Sequence, residues 1–322
     1  MSGNVNFGNL HSTTIDNYLH NFKDNYTKHS RLLEDIKKAG NIKTEDGGNQ
    51  ILEQIEFAAN GSFGWYQGSE QFELANKKAF TAAAFPRKYA YVTSTIVGDE
   101  EVSNSGKERM IDLIEAKVSN AMKSLGNGLA VSLYSDGTAP KQLGGLQYLI
   151  ADAPATGIVG GIDASQTDNT WWRNYSKSVA LDETNVISVF NEAIQKTTRN
   201  NDRVKVVYTD NSSYNKYYNA LQAQQRFIDS TKGDGGYSDL AINGIPLKND
   251  QAMNGFCPAG HSYFINSDFL KFRPNSKRNP YHRPSISSIN QDASVEAILW
   301  AGNMTVSGRE FQGVVVDTAA TE

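Results

Sequence analysis

The first fifty residues carry apolar side chains at helical spacing, but too few of them to build a core. One stripe consists of Ile15, Tyr18, Leu19, Phe22 and Tyr26, and a shorter one consists of Leu32, Leu33 and Ile36. Glycine and polar residues then end the helical pattern. We therefore expect residues 1–50 to form an arm that lies on another surface, in the same subunit or in a neighbouring one.

The spacing of apolar residues next changes from helical to alternating, which predicts β-strands. One face of the first strand carries Ile51, Glu53, Ile55 and Phe57. Three glycines then surround Phe63, Trp65 and Tyr66, and alternation resumes on the way back. The pattern predicts an extended hairpin over residues 51–85. Because few local residues can cover the three aromatic side chains, we expect them to contact another subunit.

The clearest helix in the sequence follows a strand-like stretch, KYAYVTSTIVG. Ser105 and Glu108 match a capping box, which favours a helix start at Ser105. Apolar residues then recur at helical spacing at Met110, Ile114, Val118, Met122, Leu125 and Leu129. We expect a helix from about Ser105 to about Leu125, roughly 30 Å long.

The rest of the sequence mixes strand-like and helix-like stretches, which indicates a layered α/β unit over residues 145–295. GGLQYLIADA and RVKVVYT are strand-like. TNVISVFNEAIQKTTRN and SYNKYYNALQAQQRF have helical periodicity. Near the end, AILWAGNMTVSGREFQGVVVDT predicts two strands that meet at a Ser307–Gly308 turn.

Trp171 and Trp172 are adjacent, which raises the question of what covers two large side chains. In an extended backbone, successive side chains point to opposite faces, so one indole enters the core and the other faces outward. The outward ring would contact another molecule, with polar contacts from Arg173 and Asn174. A layered fold could instead bury both faces of the strand, and this alternative stays open.

A sharp turn is expected just before the tryptophan pair, at Gly160 and Gly161. We expect Asp163 to accept hydrogen bonds from the backbone amides of this turn. The alternative role for Asp163 is that of a catalytic acid. The sequence supplies no nucleophile and base that would converge with it, so we favour the structural role.

Composition and charge argue against several classes of function. The 322 residues include 31 basic and 35 acidic side chains, so no basic excess indicates a large nucleic-acid-binding surface. Cys257 is the only cysteine, which excludes an intramolecular disulfide. SGKE, KGDGGYSD and CPAGH lack the spacing of a phosphate loop, a calcium loop and a zinc site. We expect a soluble protein that is not an enzyme, with no cofactor, no metal, no secretion signal and no membrane-spanning segment.

Several blocks of the sequence, taken in order, resemble the major capsid proteins of tailed bacteriophages whose fold is named after phage Hong Kong 97. The blocks are KYAYVTSTIVGDEEVSNSGKERMIDLIEAKV, LYSDG followed by GGLQYLIAD, GIVGGIDASQTDNTWWRN, NGIPLKND with CPAGHSYFIN, and WAGNMTVSGREFQGVV. The resemblance covers residues 50 to 316, which is most of the chain.

The resemblance implies an α+β capsid fold in which the arm and the extended loop lie on adjacent subunits. Its parts would be an N-terminal arm at 1–50, an extended β-hairpin loop at 51–85, a peripheral domain with a long spine helix at 86–144, an axial domain at 145–295, and return strands of the peripheral domain at 296–322.

The function implied by the resemblance is that of a major capsid protein, which self-assembles into an icosahedral shell around a double-stranded DNA genome. Its location would be the virion, and the host cytoplasm during assembly. Its partners would be further copies in pentameric and hexameric capsomers, a scaffolding protein, a portal and, non-specifically, packaged DNA, but no membrane. The competing interpretation of the residues is a carbohydrate-binding or adhesive surface protein that uses the exposed aromatics.

Overall fold

The structure is a computed structural model, and it describes residues 31–59, 62–71, 78–103, 107–223, 231–232, 238–250, 256–287 and 292–320. The first apolar stripe of the arm, the predicted capping residue Ser105, and the side chains of Met110 and Ile114 lie outside the described part.

Helices and strands are numbered in chain order. The helices are α1 Arg31–Lys38, α2 Gly98–Ser103, α3 Lys107–Ser132, α4 Leu146–Leu149, α5 Val186–Thr197 and α6 Asn211–Ala223, with 3-10 turns at Thr167–Trp172 and Ser267–Phe269. The strands are β1 Gln50–Glu56, β2 Phe80–Pro86, β3 Lys88–Val97, β4 Ile158–Val159, β5 Ile162–Asp163, β6 Tyr175–Val179, β7 Val206–Thr209, β8 Thr231–Lys232, β9 Ser238–Ile242, β10 Ile245–Asn249, β11 His261–Ile265, β12 Leu270–Pro274, β13 Tyr281–Ser287, β14 Ala293–Val306 and β15 Gly313–Asp317.

β1 and β2 form the predicted hairpin, an antiparallel pair in which Gln50 lies opposite Pro86. Burial alternates along β1, with Ile51, Glu53 and Ile55 buried and the residues between them exposed. This pattern arises because successive side chains of a strand point to opposite faces. The predicted strand and the face shared by Ile51, Glu53 and Ile55 are confirmed.

An antiparallel sheet of four strands is built around β14. β3 runs along one side of β14 from Lys88 to Val97, and β12 and β13 pair with its other side. α3 packs against this sheet. The predicted apolar stripe of α3 is confirmed where its side chains are described, at Val118, Met122, Leu125 and Leu129, which are all buried. The helix runs to Ser132, about two turns past the predicted end at Leu125.

A second, mixed sheet has the strand order β6-β15-β11-β7-β10-β9-β8. α5 and α6 pack beside it and enclose a second apolar core, in which Phe190 stacks on Tyr217 and meets Phe264 edge to face. The predicted helices at α5 and α6 and the predicted strand at β7 are confirmed. The α+β class is therefore confirmed as well.

The final strand does not pair with its predicted neighbour. β14 belongs to the four-stranded sheet and β15 to the seven-stranded sheet, so the predicted hairpin about Ser307–Gly308 is wrong. The assignment of residues 296–322 to the peripheral domain is also wrong for β15. The physical reason lies in Arg309, which is fully buried in the segment that connects β14 to β15 and holds that segment through its hydrogen bonds.

The guanidinium of Arg309 joins its own segment to two distant parts of the chain, one at Leu149 and one at Trp172 and Asn174. It donates hydrogen bonds to Leu149 O at 2.8 Å, to Trp172 O at 2.9 Å and to Asn174 Oδ1 at 2.9 Å. Burial lowers the pKa of Arg309 to about 10, so the side chain remains charged at neutral pH. A buried charge of this kind is tolerated because its donors are satisfied.

The prediction that GGLQYLIADA forms a strand is also wrong. Its centre forms the short helix α4, with Leu146 and Leu149 both buried. These two residues are three apart, so they share a helical face and would lie on opposite faces of a strand. The Leu146 amide donates to Leu133 O at 2.7 Å, which fixes α4 against the end of α3.

α1 packs on its own subunit through Leu32, Leu33 and Ile36. Farther along the segment, the amide of Lys43 donates to Phe272 O at 3.1 Å, so the chain continues as an added parallel edge beside β12. The expectation that the arm lies on adjacent subunits is wrong for this part of it. An apolar stripe of three residues needs only a small complementary surface, and the chain's own sheets supply it.

Ionisable side chains fasten α1 to the end of β10. Lys248 Nζ lies 2.9 Å from both carboxylate oxygens of Asp35, and the hydroxyl of Tyr208 donates to the same carboxylate. Next to them, Tyr134 donates to Asp250. Burial raises the pKa of Asp250 from 3.8 to about 6, because the ionised form is poorly solvated there.

Arg309→Ala should cost about 3–5 kcal/mol of unfolding free energy, because it removes the buried guanidinium and leaves the carbonyl oxygens of Leu149 and Trp172 without the donor that it supplies. The matched control is Arg199→Ala, since Arg199 forms an exposed ion pair with Glu310. That change should stay within about 0.5 kcal/mol. Denaturant unfolding of the wild type and the two variants measures both changes in free energy. Equal losses in the two variants would contradict the structural role of Arg309.

Asp250→Asn should stabilise the chain in a pH-dependent manner. Since the folded pKa of Asp250 lies above its unfolded value, protonation favours the folded state, and this stability is lost as the pH rises from about 4 through about 6. The difference in unfolding free energy between the variant and the wild type should grow from near zero at pH 4 to roughly 2 kcal/mol at pH 7. Unfolding curves across that range test it, and a constant difference would contradict it.

Candidate assembly surface

The tip of the β1–β2 hairpin exposes three aromatic side chains. Trp65 is 92% exposed, Phe63 is 80% exposed and Tyr66 is 66% exposed. The rings of Phe63 and Trp65 meet edge to face, with centroids 5.7 Å apart. Gly68, with φ of 69°, provides the turn that follows. The structure thus places all three predicted contact residues of the hairpin on one projecting loop, which we call the tip.

The base of the same hairpin is held firmly by charge. The buried carboxylate of Glu53 accepts hydrogen bonds from Lys271 Nζ at 2.7 Å, from Arg273 Nε at 2.8 Å and from Thr305 Oγ1 at 2.9 Å. Burial alone would raise the pKa of Glu53, but the bonds from Lys271 and Arg273 hold that pKa below its usual value. The carboxylate therefore stays ionised and ties β1 to β12 and β14.

Aromatic stacking adds a second attachment at the base. Phe57, just after β1, stacks on Trp171 with ring centroids 4.9 Å apart. Trp171 is half-buried, and Trp172 is fully buried with its Nε1 donating to Val159 O at 3.0 Å. The two rings lie in the 3-10 turn rather than in an extended strand, so the expectation of opposite faces is wrong. The chain itself covers most of both rings.

Arg173 and Asn174 are also engaged within the chain. Arg173 Nε donates to Ala164 O at 2.8 Å, and Asn174 is buried between Arg309 and Ala151. The expectation that Asn174 meets a neighbouring subunit is wrong, because its amide is enclosed and satisfied by this network. Trp171, Trp172 and Asn174 therefore support the hairpin and the joint around Arg309, and the subunit contact prediction rests on the tip.

Gly160 and Gly161 form a two-residue turn between β4 and β5, with φ of 60° and 76°. Gly160 also contacts the hairpin, since the amide of Ala84 in β2 donates a hydrogen bond to Gly160 O at 2.8 Å. The two segments are so close that a Cβ added at Gly160 would lie 2.8 Å from Ala83 Cβ. A side chain at Gly160 would push β2 away.

Asp163 serves a different turn from the one expected. Its Oδ1 accepts from the backbone amide of Ser165 at 2.9 Å and from the Ser165 hydroxyl at 2.7 Å. The expectation that it satisfies the amides at the glycine pair is therefore wrong. These hydrogen bonds lower the pKa of Asp163, which suits a structural acceptor rather than an acid.

The outer face of the four-stranded sheet carries apolar residues that sequence reasoning did not single out. Tyr91, Leu299 and Tyr281 lie in one row across β3, β14 and β13, and register partners on neighbouring strands share a face. Tyr89 and Tyr91 are strongly exposed. The signal was present, because the alternation in KYAYVTSTIVG already places Tyr89 and Tyr91 on the same face.

Within the described residues, His, Cys, Asp and Glu form no group of three that could hold a metal ion, and no helix is long and apolar enough to cross a membrane. The sulfur of Cys257 faces the carbonyl oxygen of His261, while the ring of His261 faces Asp152. Burial raises the pKa of Cys257 well above its usual value, which disfavours the thiolate that metal binding or nucleophilic attack requires.

No protein-family model and no curated protein matches the sequence, whereas solved structures share its fold. A chain of the cyanophage A-1(L) capsid is 18% identical with a TM-score of 0.63, covering 86% of this chain and 90% of its own. A capsid chain of a native GTA particle is 8% identical with a TM-score of 0.60, at 87% and 89% coverage. The SrpI encapsulin of Synechococcus elongatus is 7% identical with a TM-score of 0.54, at 87% and 85% coverage.

Identities this low establish the fold and not the function. The chain has the capsid fold named after Hong Kong 97, as the sequence resemblance implied.

Glu53→Gln should loosen the hairpin base, because Lys271 and Arg273 lose the charge that they share. Amide hydrogen exchange in β1 and β2 should accelerate, and unfolding free energy should fall by about 1–3 kcal/mol. Glu56→Gln, on the exposed side of the same strand, is the matched control and should change neither quantity. Equal exchange in both variants would contradict the anchoring role of Glu53.

Proposed function

We propose that this chain is the major capsid protein of a tailed bacteriophage, and that copies of it assemble into the icosahedral shell that encloses the DNA genome. The observation that carries the proposal is the fold, which the chain shares with a cyanophage capsid chain over most of both lengths. The exposed aromatic tip gives this fold a physical means of association.

The hairpin suits assembly because its two ends differ in their attachment. Glu53 and Phe57 fix the base, while Trp65 at the tip remains in solvent. Burying one indole removes roughly 200 Å² from water, worth up to about 5 kcal/mol. A rigid base loses little entropy when the tip docks, so more of this energy stabilises the contact.

The proposed partners are further copies of the chain in pentameric and hexameric capsomers, a scaffolding protein, a portal and packaged DNA. The net charge of −4 fits weak, non-specific contact with DNA, since a strongly basic inner surface would bind phosphates tightly. The proposed locations are the virion and, during assembly, the host cytoplasm. The proposed role is assembly rather than catalysis.

An encapsulin shell is a second candidate, because SrpI has the same fold. We favour the phage capsid because both identity and TM-score are higher for the cyanophage chain than for SrpI. The contents of a particle isolated from its natural source separate the two candidates, since double-stranded DNA supports the capsid and protein cargo supports the encapsulin. A carbohydrate-binding or adhesive role is not favoured, since the fold matches shell proteins.

Trp65→Ala should give a folded subunit that assembles poorly. Because Trp65 contributes almost nothing to either core, the melting temperature should change little, whereas the yield of particles seen by electron microscopy should fall by at least about tenfold. Trp65→Phe keeps an aromatic ring and should restore most of the yield. Normal shells from the alanine variant would remove Trp65 from the interface.

Failure of the wild-type chain to form shells, tubes or capsomers, alone or with a scaffold, would contradict the proposed function itself.

A further inference from the structure

The turn between β9 and β10 consists of the dipeptide Asn243–Gly244. Both residues have positive φ, 51° at Asn243 and 78° at Gly244, which is the pattern of a type I′ turn. The flanking residues Ile242 and Ile245 lie opposite each other in the register of the two strands. Asparagine tolerates this left-handed backbone better than most residues, and both turn residues are exposed. The dipeptide therefore projects into solvent from the end of a hairpin.

An asparagine that precedes glycine can react with its own backbone. The amide nitrogen of the glycine attacks the side-chain carbonyl carbon, so that an N–Cγ bond forms, the Cγ–Nδ2 bond breaks and ammonia leaves. Water then opens the resulting succinimide ring at either of its two carbonyl groups. One product is aspartate, and the other is isoaspartate, in which the backbone runs through Cβ and Cγ. Glycine permits the attack because it has no Cβ to hinder it.

The attacking nitrogen is free in this turn. The Gly244 amide donates to no acceptor among the described residues, because the central amides of a two-residue turn point away from the strand ladder. The space around it is open, since a Cβ added at Gly244 would meet no atom within 4 Å beyond its chain neighbours. Asn243 Nδ2 donates to Asn191 Oδ1 at 2.8 Å, at an exposed position where water can replace this hydrogen bond.

A second Asn–Gly dipeptide of the described chain has the same exposure but a different backbone. Asn127 and Gly128 are both exposed, and they lie inside α3. In an α-helix each interior amide donates to the carbonyl four positions earlier, so the helix engages the Gly128 nitrogen. Attack by this nitrogen requires local opening of the helix, which costs free energy. Two further such dipeptides, at 60–61 and 254–255, lie outside the described residues.

We propose that Asn243 is a modification site, which converts to aspartate and isoaspartate through a succinimide formed with Gly244. The reaction needs only the chain and water, so it does not depend on self-assembly. Either product removes the donor to Asn191 and adds one negative charge to a chain whose net charge is −4. Isoaspartate also lengthens the backbone of the turn, which strains the pairing of Ile242 with Ile245. Because both isoleucines belong to the second apolar core, isoaspartate formation loosens the edge of that core.

Peptide-resolved mass spectrometry of the wild-type chain, aged at mildly alkaline pH, tests the site. Alkaline pH favours the reaction because the attacking nitrogen must lose its proton. The peptide that contains Asn243 should gain the mass difference between an amide and an acid at least about tenfold faster than the peptide that contains Asn127. In denaturant, where neither backbone is fixed, the two rates should converge. Equal rates in the native chain, or an unconverted Asn243 under conditions that convert the denatured chain, would overturn the proposal.

Asn243→Gly is the matched control for the effect on the hairpin. Glycine keeps the positive φ of the turn and removes the reacting carboxamide. Once conversion of the wild type is complete, amide hydrogen exchange over 238–249 should be at least about tenfold faster than in the fresh protein. The glycine variant, aged in parallel, should exchange as it did when fresh. Unchanged exchange in the aged wild type, or equal acceleration in the aged variant, would overturn the loosening of β9 and β10.

Discussion

The buried carboxylate of Glu53 is the interaction on which the hairpin depends. An ionised group can stay buried only when its partners replace the lost hydration, and here Lys271, Arg273 and Thr305 do so. Because these partners lie on β12 and β14, the charge fixes the direction in which the hairpin leaves the body. A hairpin fixed at the base presents its tip in one orientation, which repeated identical contacts require.

Contacts around the segment that connects the two sheets also support the base of the hairpin. Arg309 lies in the segment that connects β14 to β15, and it donates hydrogen bonds to the carbonyl oxygens of Leu149 and Trp172. The neighbouring Trp171 stacks on Phe57 at the hairpin base. A path of packed and hydrogen-bonded groups therefore connects the segment around Arg309 to the base of the hairpin. Residues that the sequence suggested as intersubunit contacts instead build this internal support.

Local periodicity predicted those parts of the fold whose burial repeats over several residues. The alternation from Ile51 to Ile55 and the stripe from Val118 to Leu129 belong to this class. The exposure of Phe63, Trp65 and Tyr66 also followed from the absence of nearby apolar residues. Such patterns are readable because a strand or helix imposes the same geometry on each successive residue.

The errors arose where contacts between distant residues decide the structure. Arg309 and Asn174 are 135 positions apart, and the sequence near either residue gives no indication of their hydrogen bond. That contact buries Asn174 and holds the segment after β14 away from a hairpin turn. In the same way, the stretch that contains Leu146 and Leu149 was predicted as a strand. Its packing against the end of α3 buries both residues, which requires the helical geometry in which residues three apart share a face.

The central claim is that another copy of the chain covers the tip, and the fluorescence of the chain's own tryptophans can test it. Of the four tryptophans, Trp171 is half-buried, Trp172 and Trp300 are buried, and Trp65 is exposed. Iodide quenching of tryptophan fluorescence should therefore report chiefly on Trp65 in the unassembled chain. The account predicts that this quenching is largely lost on assembly. Equal quenching before and after assembly would contradict it.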